Sequence, residues 1–240
     1  WAQQYIGLAP SSASLGRAEA QSASVQGTDA LFYNPAGLSF SKVQLRLIGA
    51  EMEYDQDSLE RTEKLSENQN KITEQSSIAA FYDKIDSEKP FYVRPTIRLI
   101  NLTIPHVALS SFTSLRLRSQ KKEENYDIQL QTDVGAIGGL AIQKGTFSFG
   151  ISRYILNRIG FTAQPTEQDM SIIREKIKED QLDADSIDFQ RFTQISYGSA
   201  LGRNMGAIWK FWDDNPSALG FSVLNEAKTT FKKNTLIQSP

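Results

Sequence analysis

Residues Tyr126–Ile142 read YDIQLQTDVGAIGGLAI, and apolar residues alternate with polar or small residues along the stretch. One face is apolar, with Ile128 and Leu130 near its start, and the other is polar, with Asp127 and Gln129 beside them. A period of two predicts a β-strand. The stretch is longer than the usual five or six residues of a strand. It suits a tilted strand that crosses a lipid bilayer, which needs about 9–11 residues.

Other stretches of the chain alternate in the same way. They are residues 42–54, 91–102, 107–118, 146–155, 194–211 and 218–228. Together with residues 126–142 they predict an all-β protein with seven antiparallel strands. The phase of the alternation slips near Leu47–Gly49, which predicts a β-bulge there. Arg203 falls on the apolar side of its strand and is a defect in the pattern.

The predicted connections fall into two groups. Short turns lie at 103–106, 143–145 and 213–217, and long or charged connections lie at 55–89, 119–125 and 156–193. This asymmetry is typical of transmembrane β-barrels, with short periplasmic turns and longer extracellular loops. Trp209, Phe211 and Trp212 beside a short turn fit a periplasmic aromatic girdle. The sequence therefore predicts an antiparallel transmembrane β-barrel.

Helical spacing marks parts of the long connections. Residues 55–89 are highly charged and predict a solvated helical loop. Met170, Ile173 and Ile177 recur at helical spacing within Gln168–Asp180, which predicts an amphipathic helix. We expect this helix to pack on the rim of its own barrel. A helix that binds the membrane surface or a partner is the alternative.

The composition excludes several classes of function. The 240-residue chain carries 26 basic and 28 acidic residues and a net charge of −2, so it has no basic field for nucleic acid. It has no cysteine, which excludes a disulfide scaffold, a thiolate metal site and a cysteine nucleophile. Its single histidine, His106, lies in a predicted turn. We predict no enzyme activity, cofactor or metal.

No run of about 18 apolar residues occurs, so no membrane-spanning helix is predicted. A barrel wall needs an apolar residue only at every second position, and it therefore remains compatible with a mean hydropathy of −0.38. The chain starts at Trp1 rather than at methionine. We expect that a signal peptide for export has been removed, although a trimmed soluble chain would look the same.

The first forty residues are rich in Ala, Ser, Gln and Gly and have no sustained period. They contain Leu15-Gly16-Arg17-Ala18 and, further on, Asp29-Ala30-Leu31-Phe32-Tyr33-Asn34-Pro35-Ala36-Gly37-Leu38. Pro35 fixes its own φ and biases Asn34 toward an extended backbone, so a turn is predicted. These two motifs, in this order before the first strand, resemble the N-terminal plug of the FadL-like outer-membrane barrels.

The resemblance implies a plug at residues 1–41 and a barrel wall at residues 42–240 in the outer membrane of a Gram-negative bacterium. Such barrels typically have fourteen strands, so seven strands suggest that the wall is incomplete at its C-terminal end. The implied function is passive transport of hydrophobic molecules, with outer-membrane lipid around the wall. The implied plug residues are Phe32, Tyr33, Asn34, Pro35, Gly37 and Leu38.

The same superfamily contains PorV-like members, which share the short Asn-Pro-Ala-Gly-Leu motif. Those members serve as scaffolds or partners in secretion or surface attachment and transport no lipid. The long charged connections 55–89 and 156–193 favour such partner binding. A soluble periplasmic β-protein is a third alternative.

Several arginines are predicted on the lumen side of neighbouring strands: Arg46, Arg94, Arg98, Arg116 and Arg118. They would face Asp127, Asp133 and the plug. We favour internal salt bridges that fix the plug. The functional alternative is that unpaired arginines attract an anionic head group, such as a fatty carboxylate, as it passes.

Overall fold

The computed structural model describes residues 22–54, 90–122, 125–178, 193–211, 217–224 and 234–235. Several features of the sequence therefore lie outside the described residues: residues 1–21 with the Leu15–Ala18 motif, the 55–89 connection, Trp212, residues 213–216 of a predicted turn and residues 225–228 of the last predicted strand. The described residues form one antiparallel sheet with a short N-terminal segment, residues 22–41, packed against one of its faces.

The strands are β1 (Gln44–Tyr54), β2 (Phe91–Ile104), β3 (Val107–Lys122), β4 (Asn125–Lys144), β5 (Phe147–Ala163), β6 (Thr193–Lys210), β7 (Ala218–Val223) and β8 (Asn234–Thr235). Strands β1 to β7 pair with their chain neighbours, always antiparallel, and the two-residue β8 pairs with β6. The predicted all-β class with seven antiparallel strands is confirmed. The sheet is open, because β1 and β7 are not paired with each other in the described part of the chain.

The end of β5 was predicted wrongly. The sequence pattern ends this strand at Ile155, but β5 continues to Ala163 and is paired with β6 along its whole length. The second half of β5 still alternates, because Leu156 is buried and Ile159 is exposed. Polar residues at 157 and 158 obscure the pattern. The predicted 156–193 connection therefore begins eight residues too early.

The predicted loop at residues 119–125 is also wrong. β3 runs through Lys122 and β4 starts at Asn125, so the connection consists of residues 123 and 124. The charged stretch resembles a loop in sequence, but charged side chains are equally compatible with a strand end that lies in water. One connection on the predicted extracellular side is therefore short, which weakens the sorting of connections by length.

The phase slip predicted near Leu47–Gly49 has a different origin. The register between β1 and β2 is the same on both sides of Leu47, so β1 contains no inserted residue. The register shifts between β2 and β3 instead, at Leu99/Leu102, and Ile100 there has a positive φ of 49°. The inserted residue therefore lies in β2, and β1 stays in register with β2 along the bulge.

The two faces of the sheet differ sharply. We name the face on which residues 22–41 lie the covered face, and the opposite face the open face. Large apolar side chains of the open face are exposed; Phe149, Leu201 and Phe221 keep 54%, 70% and 69% of their surface accessible. Buried polar residues line the covered face: Arg94, Thr96, Arg98, Asn101, Thr103, Ser110, Ser114, Asp133, Ser148, Ser152 and Asn204.

The described residues contain a single α-helical turn, α1 (Ala30–Tyr33), and a longer helix, α2 (Glu167–Lys178). Helix α2 follows β5 near the predicted position. Met170 and Ile173 are buried, and Glu167 binds the ends of two strands through Lys121 Nζ at 2.8 Å and the Tyr126 hydroxyl at 2.9 Å. These contacts tie the start of the helix to its own sheet, as the favoured interpretation expects. Within the described residues, no helix has the length and hydrophobicity needed to cross a bilayer.

Candidate functional site

The N-terminal segment contains three short helical turns: a 3-10 turn at Gly27–Asp29, the single α-helical turn α1 (Ala30–Tyr33), and a 3-10 turn at Pro35–Phe40. Between the last two, Asn34 is extended, with φ −155°. Its Oδ1 accepts a hydrogen bond from the backbone N–H of Ala36 at 3.1 Å. Asn34 thus caps the turn that Pro35 begins, a favourable arrangement for both residue types.

The segment is seated on glycines of the sheet. Gly150 of β5 and Gly206 of β6 lie directly opposite each other. A Cβ on Gly150 would collide with the backbone of Pro35 and Ala36, and a Cβ on Gly206 would collide with the side chain of Asn34. The glycine pair therefore forms a notch into which the Asn34–Ala36 turn fits.

The Asn34 side chain also joins two strands to the segment. Its Nδ2 lies 3.2 Å from the carbonyl oxygen of Ala207 in β6 and 3.3 Å from that of Phe221 in β7. It also donates to the carbonyl of Ser22 within the segment, at 2.5 Å. Asn34 is completely buried. A buried amide with these partners fixes the turn to one place on the sheet.

Small polar side chains of β5 and β6 satisfy the backbone of the segment. Ser148 Oγ donates to the carbonyl of Ala36 at 2.7 Å. The carbonyl of Leu31 accepts from Ser152 Oγ at 2.7 Å and from Asn204 Nδ2 at 3.0 Å. Because α1 is only one turn long, its carbonyls need partners outside the helix, and the sheet supplies them.

An apolar cluster fills the space between the segment and the middle of the sheet. Phe32 meets Phe112 of β3 edge-to-face, with ring centroids 5.7 Å apart. The cluster comprises Val25, Ala30, Leu31, Phe32, Tyr33, Leu38, Ala108, Phe112, Ile137, Ala141, Tyr154 and Leu156. It is the hydrophobic core of the described residues and consists of both segment and sheet residues.

All six residues that the sequence analysis assigned to the plug lie where the segment packs against the sheet, and all are buried: Phe32, Tyr33, Asn34, Pro35, Gly37 and Leu38. The C-terminal end of the segment contacts the β2–β3 turn, where the N–H of His106 donates a hydrogen bond to the carbonyl of Leu38 at 3.0 Å. His106 thus contributes through its backbone.

The five predicted arginines all map to the covered face, but they differ in their surroundings. Arg98 is 2% exposed, and its guanidinium lies 2.6 Å from Asp29 of the segment and 3.6 Å from Glu51 of β1. Arg94 is equally buried and lies 3.7 Å from Glu53. Arg116 is half-buried, whereas Arg46 and Arg118 are exposed. Among the described contacts, the ion pair between Arg98 and Asp29 joins this set of arginines to the segment.

Sequence reasoning missed a further arginine on the same face. Arg158 of β5 binds Asp133 of β4 with two hydrogen bonds of 2.6 and 2.9 Å. The residue was assigned to a loop because β5 was ended too early. The notch glycines and the serines beside them were also missed as a site, although Ser148, Gly150 and Ser152 recur at every second position.

The described residues contain no group of three His, Asp or Glu side chains placed to hold a metal ion. No protein-family model, curated protein or solved structure matches the chain in the comparisons made. The properties of the site therefore have to be argued from its own contacts.

Proposed function

We propose that the chain is the wall of an outer-membrane β-barrel of the FadL-like type, with residues 1–41 as its plug. The proposed activity is passive passage of hydrophobic molecules past the plug. Lipid would surround the open face, and the covered face would enclose the lumen. The location would be the outer membrane of a Gram-negative bacterium.

The observation that carries the proposal is the open face itself. Side chains from all seven long strands expose large apolar surface there, including Leu45 of β1, Leu109 of β3 and Leu219 of β7. Soluble monomers rarely expose contiguous apolar patches of more than a few hundred Å². A hydrocarbon environment removes this penalty, and the buried polar residues of the covered face then belong on the lumen side.

Aromatic side chains support the same orientation. Phe147 and Trp209 stack with ring centroids 5.4 Å apart, and Phe211 meets Trp209 edge-to-face at 4.9 Å. They lie at the strand ends next to the β4–β5 turn. Aromatic girdles at the membrane interface are typical of transmembrane barrels. This edge of the sheet would therefore lie at the periplasmic interface.

A PorV-like scaffold without transport is the second candidate. The buried polar contacts that attach the segment to the sheet favour it. Asn34, Arg98 and the serines of β5 hold the segment through buried hydrogen bonds and an ion pair. A plug held in this way must break several of these contacts to open a path. A scaffold would keep them intact while its long connections, residues 55–89 and residues 164–192, bind a partner.

A reversible lock on the segment separates the two candidates. Ser39 Oγ and Ser148 Oγ lie 2.7 Å apart, so the pair Ser39→Cys and Ser148→Cys places two sulfur atoms near bonding distance. The protein has no cysteine of its own. Transport past a moving plug predicts that oxidation stops entry of a fluorescent long-chain carboxylate into proteoliposomes and that reduction restores it.

Each single cysteine variant serves as the control, because it carries the same substitution without the cross-link. Entry that is unchanged by oxidation would reject passage by movement of this plug. Co-purification of a stoichiometric companion from membranes, unaffected by the lock, would then support the scaffold.

A further inference from the structure

Two neighbouring arginines of the covered face lie beyond the N-terminal segment. Arg116 and Arg118 of β3 are two residues apart and therefore lie on the same face of the sheet, with Cα atoms about 7 Å apart. The segment contacts β3 at Phe112, closer to the other end of the strand. The two arginines therefore lie outside the apolar cluster beneath the segment.

In the described part of the chain, these two arginines lack a counter-ion. No hydrogen bond or ion pair joins Arg116 or Arg118 to another described residue. Nε of Arg116 is buried without a hydrogen-bond partner, but its two terminal nitrogens are not among the buried atoms. Arg118 is exposed. Both guanidinium groups can therefore donate hydrogen bonds to a ligand that approaches the covered face.

The acidic residues of the neighbouring strand β4 are bound to other groups. Asp133 accepts two hydrogen bonds from Arg158, at 2.6 and 2.9 Å. Asp127 accepts a hydrogen bond from the side-chain amide of Gln129 at 3.0 Å. The acids that the sequence analysis placed opposite the arginines are thus engaged elsewhere on the covered face.

A third arginine increases the positive charge at this place. Tyr92 of β2 lies opposite Arg118, and in the same register Arg94 lies opposite Arg116. Arg94 is buried and lies 3.7 Å from Glu53. The residues of β4 opposite the two β3 arginines are glutamines, which carry no charge. Because like charges opposite each other on neighbouring strands repel, a bound anion would offset the repulsion.

The number of charges indicates the kind of anion. Guanidinium groups bind both carboxylate and phosphate oxygens through charge-assisted hydrogen bonds, often in pairs. A carboxylate carries one negative charge, whereas a phosphate monoester carries about 1.5 to 2 at pH 7. Two neighbouring guanidinium groups without a counter-ion therefore match a phosphate group better than a carboxylate.

We propose that Arg116 and Arg118, the Arg116/Arg118 site, bind a doubly charged phosphate group, either free phosphate or a phosphate monoester. Each guanidinium donates hydrogen bonds to the phosphate oxygens, and the positive charge of Arg94 strengthens the attraction. The inference goes beyond the proposed function, because it depends neither on lipid at the open face nor on movement of the plug.

The test is isothermal titration calorimetry in uncharged dodecyl maltoside micelles at low ionic strength, where charges are screened least. Hexyl phosphate and hexanoate share an alkyl chain and differ in their head groups. We expect hexyl phosphate to bind saturably and hexanoate to bind at least about tenfold more weakly. Inorganic phosphate identifies the source: equal affinity indicates free phosphate as the ligand, and weaker binding indicates a phosphate monoester.

Variants of the two arginines locate the binding. Arg116→Gln/Arg118→Gln should weaken the binding of hexyl phosphate at least about tenfold. Arg118→Gln alone changes an exposed side chain that the fold does not need, and it should weaken binding at least about threefold. Arg46→Gln/Lys144→Gln removes two exposed positive charges elsewhere and should bind as the unaltered protein does.

Three results would overturn the proposal. Equal binding of hexanoate and hexyl phosphate would show that the protein does not select a doubly charged group. Unchanged binding in both the double variant and Arg118→Gln would place the phosphate at another site. Equal weakening in Arg46→Gln/Lys144→Gln would indicate a general effect of net charge.

Insertion into phosphatidylcholine vesicles, followed by protease protection, tests the proposed function separately. Protein that inserts but does not bind hexyl phosphate rejects the phosphate site alone. Protein that binds hexyl phosphate but folds in buffer and does not insert rejects the membrane proposal alone.

Discussion

The covered and open faces are built from the same strands and yet contain opposite kinds of residues. Along β5, Ser148, Gly150 and Ser152 face the N-terminal segment, while Phe149 and Ile155 face away from it. On the covered face, close contact requires small residues, and the side chains of Asn34, Ser148, Ser152 and Asn204 form hydrogen bonds where the segment packs against the sheet. On the open face, large apolar side chains remain without protein cover.

This contrast shows that one alternating pattern can satisfy two different surroundings. Residues of the covered face are selected for fit, because backbone approaches backbone there. If lipid surrounds the open face, as proposed, residues there need only be apolar, because lipid adapts its shape to any apolar surface. Substitutions of equal size should therefore have unequal effects on the two faces. Three of the four comparisons below test this, and the remaining one contrasts a buried and an exposed arginine of the covered face.

The largest effect is expected for Gly206→Val. Its side chain would overlap that of Asn34, and the fully buried turn has no room to move. We expect a loss of at least about 3 kcal/mol in detergent unfolding, together with faster proteolysis of the N-terminal segment. Gly138→Val is the control, because its Cβ on the open face would meet Leu109 Cδ1 at 3.5 Å and the carbonyl oxygen of Ala108 at 3.8 Å, which are both ordinary contact distances. Equal losses in both variants would contradict the notch.

Leu156→Ala and Ile155→Ala compare adjacent residues of β5. Leu156 is 1% exposed on the covered face, whereas Ile155 is 57% exposed on the open face. We expect Leu156→Ala to cost about 3 kcal/mol of unfolding free energy in lipid, because it leaves a cavity in the core. Ile155→Ala should cost less than about 1 kcal/mol. A larger cost at Ile155 would mean that protein covers the open face.

Arg98→Met tests the ion pair between the sheet and the segment. Arg98 is buried beside Asp29, so its loss should destabilise the protein by about 2–3 kcal/mol. In a double-mutant cycle with Asp29→Asn, we expect a coupling of about 1 kcal/mol or more. Arg118→Met, at an exposed site of the same face, should change stability by less than about 0.5 kcal/mol. Additive effects of Arg98→Met and Asp29→Asn would reject the pair as an anchor.

The smallest effect is expected for Ser152→Ala. This change removes the hydroxyl that donates to the carbonyl of Leu31 and accepts from Asn204. A single buried hydrogen bond contributes about 1 kcal/mol, and urea unfolding should show a loss of this size. Ser199→Ala on the open face should be neutral within about 0.5 kcal/mol. A neutral Ser152→Ala would mean that the segment backbone finds another donor.

Local sequence patterns were sufficient to predict the bounds of a strand where one of its faces is uniformly apolar. β4 was predicted to within two residues at each end, because its alternation is unbroken. β5 was cut short because Asn157 and Arg158 interrupt the pattern, and the pairing of Arg158 with Asp133, which lies 25 residues away in sequence, could not be read from local residues. The polar and charged residues at 119–122 resembled a loop because sequence alone does not tell a hydrated strand end from a turn.

The contact between the N-terminal segment and the sheet was predictable in part. The turn at Asn34 and Pro35 follows from local chemistry, and its neighbours are buried. That these residues form a plug stays a prediction. The docking position of the turn is a property of tertiary structure. The Gly150/Gly206 notch depends on the register between β5 and β6.

The most direct test of the account is nitroxide scanning along β5 in lipid vesicles, from residue 148 to residue 159. Single cysteines can be introduced without further changes, because the protein has none. We predict a period of two: labels at Phe149, Ile151, Ile155 and Ile159 should be accessible to oxygen and protected from a water-soluble nickel chelate, and labels at Ser152 and Leu156 should be immobilised. Nickel access at the open-face sites would place that face in water and contradict the account.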